Sequence, residues 1–107
     1  MNYIIEFFNE SVEAEIMMWP SGIRASFTRI AESMNEYGPN LGLPYTRALR
    51  EGLFEIRPKG REGIGRALFC MVSVRRIVIV HAFIKKTERT PIKILKIARQ
   101  RMKEISF

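Results

Sequence analysis

Arg57, Arg66, His81 and Lys85 each fall on, or at the end of, a segment with strand-like patterning, and together they suit phosphate chemistry. Neighbouring strands lie about 4.8 Å apart, so two guanidiniums on adjacent strands can grip one phosphate in bidentate fashion. Arg57 and Arg66 are the natural pair; the other reading makes each an ordinary solvated strand arginine, paired with Glu55. His81 is the one side chain whose ordinary pKa lies near neutrality, which suits a general acid or base. It also sits on an apolar strand in register with Ile79 and Phe83, where a hydrogen-bonded structural histidine is the alternative. Alternation puts Lys85 on the His81/Phe83 face and Lys86 on the other, so Lys85 is preferred for chemistry and Lys86 for phosphate contact. A solvated strand end is the plainer account of that pair.

The charge distribution supports a polyanion as the ligand. Residues 1 to 46 hold two basic side chains against six glutamates, a balance of −4, and residues 47 to 107 hold sixteen against five, a balance of +11. Folding gives no reason for that division, whereas a surface that meets nucleic acid does. The 107-residue chain contains no aspartate, one histidine and one cysteine. Clustered Asp or Cys/His metal sites and Asp-containing triads are therefore excluded, and no cofactor is expected. Cys70 has no internal disulfide partner, so a reducing cytoplasm is the default. The first apolar run carries Glu6 and matches neither a signal peptide nor a membrane span.

The elements that must position these residues read as one α+β domain over 1–107. Tyr3 to Phe8 has the composition of a strand buried on one or both faces. Asn9 or Ser11 caps a short helix whose start gathers Glu10, Glu13 and Glu15 and which Pro20 ends, with Met17, Met18 and Trp19 as core and helix-end packing. Ser21 to Tyr37 carries one continuous apolar stripe and stops at Gly38-Pro39. Residues 38 to 52 show no period and read as a surface connection. Leu53 to Arg57 alternates, with Leu53, Glu55 and Arg57 on one face, one face core and one wet. Pro58 to Gly63 suits a hairpin with a mobile tip, and Ile64 to Val74 and Ile77 to Ile84 read as central strands covered on both faces. Cys70 there is a small buried hydrophobe. Thr90 caps a last helix with Pro91 at its first position; Ile94, Leu95, Ala98, Met102 and Ile105 form its stripe, with Lys96, Arg99 and Lys103 opposite. The expected fold is an N-terminal strand, two helices, a mainly antiparallel sheet of three further strands, and a C-terminal helix.

Within this frame Leu49-Arg50-Glu51-Gly52-Leu53-Phe54-Glu55-Ile56-Arg57, then Gly65-Arg66-Ala67-Leu68-Phe69, then Ile77 to Thr87 (IVIVHAFIKKT) and Arg89-Thr90-Pro91 resemble the phage-derived, HigB-like branch of the RelE/ParE toxin superfamily. The resemblance covers roughly residues 3 to 104, and its specific part runs from 49 to 91. It implies the toxin of a type II toxin–antitoxin pair, a cytoplasmic endoribonuclease that cuts messenger RNA in the ribosomal decoding site and so inhibits translation. It implies mRNA, the ribosome and a helix-turn-helix antitoxin as partners, and no membrane. Relatives are thought to use a lysine, surrounded by other cations, in proton transfer. Some carry a tyrosine near the C-terminus that stacks on the substrate base, whereas no tyrosine follows Tyr45 here; Phe107 could keep the stacking role without transferring protons.

Metal-free RNA cleavage uses the substrate's own 2′-OH as nucleophile. The protein must then help remove that proton, stabilise a phosphorane, and protonate the leaving 5′-oxygen. Arg57 and Arg66 supply cations, and His81 and Lys85 are the candidates for proton transfer. Lys59 and Arg61 in the glycine-flanked loop, Lys86, Arg89, and Lys96 and Arg99 on the last helix suit RNA or ribosomal RNA backbone, and equally suit a solvated face. Phe83 either stacks a base or belongs to the core. A gyrase poison of the same fold and a non-catalytic nucleic-acid-binding module are the competing functions.

Overall fold

The computed structural model describes residues 2–105, and within them the chain is an α+β fold of three helices and a mixed sheet. Strand β1 (Ile4–Phe7) leads into α1 (Glu10–Met17) and α2 (Ser21–Tyr37). Strands β2 (Thr46–Arg50), β3 (Leu53–Ile56), β4 (Lys59–Gly60), β5 (Gly63–Met71) and β6 (Arg76–Ile84) follow, and α3 (Ile92–Ile105) ends the described chain. The main sheet runs β1-β6-β5-β3-β2, with β1 parallel to β6 and the other pairs antiparallel. Strand β4 pairs with β5 beside this path.

Local sequence explains the helices. The Asn9 side chain accepts a hydrogen bond from the Val12 N–H at 2.9 Å, capping α1, whose first turn carries Glu10 and Glu13. Helix α2 buries Ile23, Phe27, Ile30 and Met34 along one stripe, and Gly38 stops it at φ +92°. Pro91 stands just before α3, and its carbonyl accepts from the N–H groups of Ile94 and Leu95. Trp19 is buried as expected, but Met17 and Met18 are 54% and 83% exposed: the apolar stripe of α1 falls on Val12 and Ile16 instead.

The sheet is covered on both faces. Helices α1 and α2 close one side over Ile56, Ala67, Phe69, Ile77 and Ile79. Helix α3 closes the other over Leu53, Leu68, Cys70, Val78 and Val80, using Ile94, Leu95, Ala98, Met102 and Ile105. Strands β5 and β6 are central, as their apolar runs require. Burial raises the Cys70 thiol above its ordinary pKa.

Four expectations change. Strand β1 is an edge strand, exposed at Ile4 and only half-buried over Ile5–Phe7. The segment read as a connection contains β2, which joins β3 through Glu51-Gly52. Both turn residues have positive φ, 52° and 83°, the geometry of a tight hairpin turn. The Leu53/Glu55 face is covered rather than wet, with Leu53 and Glu55 1% and 3% exposed. The Pro58–Gly63 hairpin forms, but its tip is tied down: Glu62 accepts from the Gly22 N–H at 3.1 Å at the start of α2, and the Lys59 N–H donates to Ser26 Oγ at 3.1 Å. A Cβ on Gly60 would lie 2.6 Å from the backbone of Gly22 and Ile23, so this close approach needs glycine. No described helix is long and apolar enough to cross a membrane.

Candidate functional site

The β3–β5 register pairs Ile56 with Ala67 and Glu55 with Leu68, so the next step sets Arg57 opposite Arg66 at the end of the sheet. Glu55 and Arg57 project from the same face of the chain, towards α3. One Glu55 oxygen holds Arg57 Nη1 in an ion pair, and the other lies 3.7 Å from Arg66 Nε. Arg66 is 4% exposed and donates from Nη1 to its neighbour Gly65 O at 2.9 Å. Burial lowers its pKa first, the Arg57 and Arg47 charges lower it further, and Glu55 opposes them. The arginine pair is therefore a concentration of positive charge offset by one carboxylate.

A cavity of about 370 Å³ opens over this group. Arg47 and Arg50 of β2 line one side, and Lys85, Glu88, Arg89 and Thr90 from the segment after β6 line another. Leu95 and Arg99 of α3 close it. Seven basic side chains thus face two carboxylates, Glu55 and Glu88. Arg99 is fixed by donating to Arg50 O at 3.2 Å and by an ion pair with Glu51 at 3.4 Å. Such a basin attracts a phosphodiester and strengthens each hydrogen bond made to it.

Arg57, Arg66 and Lys85 are brought together, with Arg89 and Arg99 beside them. His81 is not. It lies four residues before Lys85, about 13 Å along an extended strand. It lines a separate cavity of about 210 Å³ with Ser11, Val12, Glu15, Ala82 and Arg101. Its ring Nδ1 is 3.4 Å from Arg101 Nη1, which donates to Val80 O at 2.6 Å. Burial lowers the His81 pKa, Arg101 lowers it further, and Glu15 opposes. The expected register of His81 with Ile79 also fails, because β6 has a bulge between those residues. Ile79 enters the α1/α2 core, whereas His81 pairs with Leu68, on the α3 side.

The remaining candidates separate. Phe83 is half-buried and packs into the α3 core cluster, 6.2 Å from the His81 ring, so it serves packing rather than a base. Arg99 faces the cavity instead of joining Lys96 and Lys103 on a solvated face. Lys86 and Lys96 are exposed, Arg61 is exposed at the hairpin tip, and Lys59 lies on β4 beside Arg57 and Arg66 in a second cavity. Phe107 lies outside the described residues. Arg47 and Arg50 were missed because Thr46–Arg50 lacks apolar alternation; the Glu51-Gly52 dipeptide was the available signal. Nothing local in the sequence marks Arg101, whose partners are Val80 of β6 and Phe8, just after β1. Among the described residues no group of three or more His, Cys, Asp or Glu could hold a metal ion.

The family model described as phage derived protein Gp49-like (DUF891) matches residues 14–103. The chain belongs to the Gp49-like family. This family is RelE-like and toxin-like, in keeping with a toxin of a toxin–antitoxin pair. The matched stretch of this Gp49-like chain includes every cavity-lining residue from Arg47 to Arg99. No curated protein matches the chain.

Proposed function

We propose that the protein is the toxin of a type II toxin–antitoxin pair, of the HigB-like branch, and that it cleaves messenger RNA on the ribosome. The observation that carries this reading is the Arg57–Glu55–Arg66 group at the floor of a cationic cavity that also holds Lys85. An incoming phosphodiester offers the two guanidiniums a second anion, and they can turn towards it from Glu55. The negative charge that builds on the phosphorane then meets two cations held beside it. Removal of one such contact typically costs about 100- to 1000-fold in rate.

The reaction needs two proton transfers. The 2′-oxygen bonds to phosphorus as its proton leaves, the bond to the 5′-oxygen breaks, and that oxygen takes up a proton. The products are a 2′,3′-cyclic phosphate and a 5′-hydroxyl end. Of the cavity's two carboxylates, Glu55 is the one against the arginine pair and is assigned the first proton. Lys85 donates the second. Arg47, Arg50, Arg89 and Arg99 hold the flanking backbone, and Lys86, Lys96 and Arg61 meet ribosomal RNA. A toxin–antitoxin family implies an antitoxin partner, proposed to carry a helix-turn-helix domain.

The test is to incubate purified protein with programmed ribosomes, and separately with naked RNA, and to map the 5′ ends. New ends inside reading frames, dependent on ribosomes and lost in Arg66→Ala, are expected. Intact transcripts during growth arrest reject the proposal; DNA damage with intact messenger RNA would identify a gyrase poison instead, and salt-sensitive binding without product ends a non-catalytic module.

A further inference from the structure

A second cavity of about 380 Å³ adjoins the first, and the two share Arg57 and Arg66 as a common wall. Its other lining is different in kind. Tyr45, Pro44, Ile30 and Ile64 supply apolar and aromatic surface, while Ser26 and Lys59 supply the polar groups. Tyr45 also borders a third cavity, of about 260 Å³, with Leu41 and Ser33. Tyr45 thus borders open space in two adjoining cavities.

Tyr45 is well placed to act as a fixed platform. Its N–H donates to Gly42 O at 2.9 Å, and its carbonyl accepts from the Arg57 N–H at 2.9 Å. The main chain is thus pinned beside the arginine pair, yet the residue stays 52% exposed. A half-exposed aromatic ring beside an apolar recess offers a face on which another flat ring can stack. Ser26 is held too, by the hydrogen bond from the Lys59 N–H.

We propose that this cavity takes one nucleobase of the RNA substrate, stacked on Tyr45, with Ser26 and Lys59 at its polar edge. The inference rests on the phosphate reading of the neighbouring cavity. A nucleotide's base and phosphate are separated by a single ribose, and the two cavities share the arginines that would hold the phosphate. A flat, neutral, aromatic group with hydrogen-bonding edges matches the lining, and every base has a face that can stack. The cavity is at the small end of ligand sites, which suits one base rather than a longer segment.

The test measures binding of the full chain to the four nucleoside 3′-monophosphates, to the four nucleosides, and to inorganic phosphate, by calorimetry. Stacking on one aromatic is worth roughly 5- to 150-fold in affinity, so at least one monophosphate should bind tighter than phosphate by that factor. Tyr45→Ala should remove the gain and leave phosphate affinity unchanged, and Tyr45→Phe should keep it. Arg66→Ala should weaken phosphate and monophosphates alike. Monophosphates no tighter than phosphate in the wild type overturn the base site while the phosphate site stands, as does a gain that survives Tyr45→Ala. Nucleoside binding that needs Tyr45 without any phosphate binding supports the base site and sinks the phosphate reading. A chain that binds none of these probes overturns both and leaves the surface to a protein partner.

Discussion

Glu55 Oε1 lies 3.7 Å from Arg66 Nε, and the other Glu55 oxygen holds Arg57, so one buried carboxylate spans two guanidiniums that face each other across β3 and β5. Both the Glu55 and Arg66 side chains are about 5% exposed or less. Removing Glu55 would strand a buried Arg66 next to Arg57 and Arg47. Glu55→Ala should therefore destabilise the protein by about 3–5 kcal/mol, as loss of one partner of a buried ion pair does. Glu55→Gln, which keeps the shape and one acceptor, should cost less. Urea unfolding measures both; a loss below about 1 kcal/mol for the alanine variant would show that Arg66 needs no counter-charge.

The separation of His81 from the arginine pair gives an activity prediction. Loss of a group that transfers a proton costs about 100- to 10,000-fold. Lys85→Ala should lose rate in that range, whereas His81→Gln should stay close to the wild type. Initial rates of 5′-end formation on programmed ribosomes decide the matter. If His81→Gln falls a hundredfold and Lys85→Ala does not, the two assignments are reversed.

The cavity cations should be visible in salt dependence. Each phosphate contact removed from a single-stranded RNA lowers the slope of log affinity against log salt by about 0.7. Arg89→Ala and Arg47→Ala, both lining the cavity, should each show this with a short non-cleavable oligonucleotide. Lys96→Ala, on the exposed side of α3, should leave that slope unchanged and alter only binding to ribosomes. An equal effect of Lys96 and Arg89 on the oligonucleotide would mean that binding spreads over the whole basic half.

Which of these residues could be read in advance follows from where their partners lie. Helix α2 was legible to the residue, because its stripe and its Gly38 stop are both local. The Arg57/Arg66 pair was legible because alternation along two strands and one hairpin fixes it. Arg47 and Arg50 were hidden, since β2 is recognised by its partner β3 and not by its own pattern. His81 stands apart from the arginine pair because alternation along a strand gives a face and not a distance: it shares the α3 side with Leu68 but lies about 13 Å before Lys85. The carboxylate between the arginines was visible as a neighbour, but only packing by α3 shows that it is buried.

His81 also predicts a pH dependence of stability. On α1 it faces Ser11 and Glu15, and on α3 it faces Arg101. Burial and the Arg101 charge together hold its pKa below the ordinary 6.5, against the weaker pull of Glu15. The unfolded chain therefore takes up a proton, as pH falls through about 6.5, that the folded chain still refuses. In that window the unfolded state binds more protons, so stability is fully present above about 6.5 and declines as pH falls towards the folded value. His81→Gln removes the titrating group while leaving an acceptor for Arg101. Urea midpoints measured from about pH 7.5 downwards should then fall less steeply for the variant than for the wild type, before the carboxylates begin to titrate near 4. Parallel curves would mean that His81 takes its proton as readily in the folded protein as in the unfolded chain, and that the Arg101 contact opens on protonation.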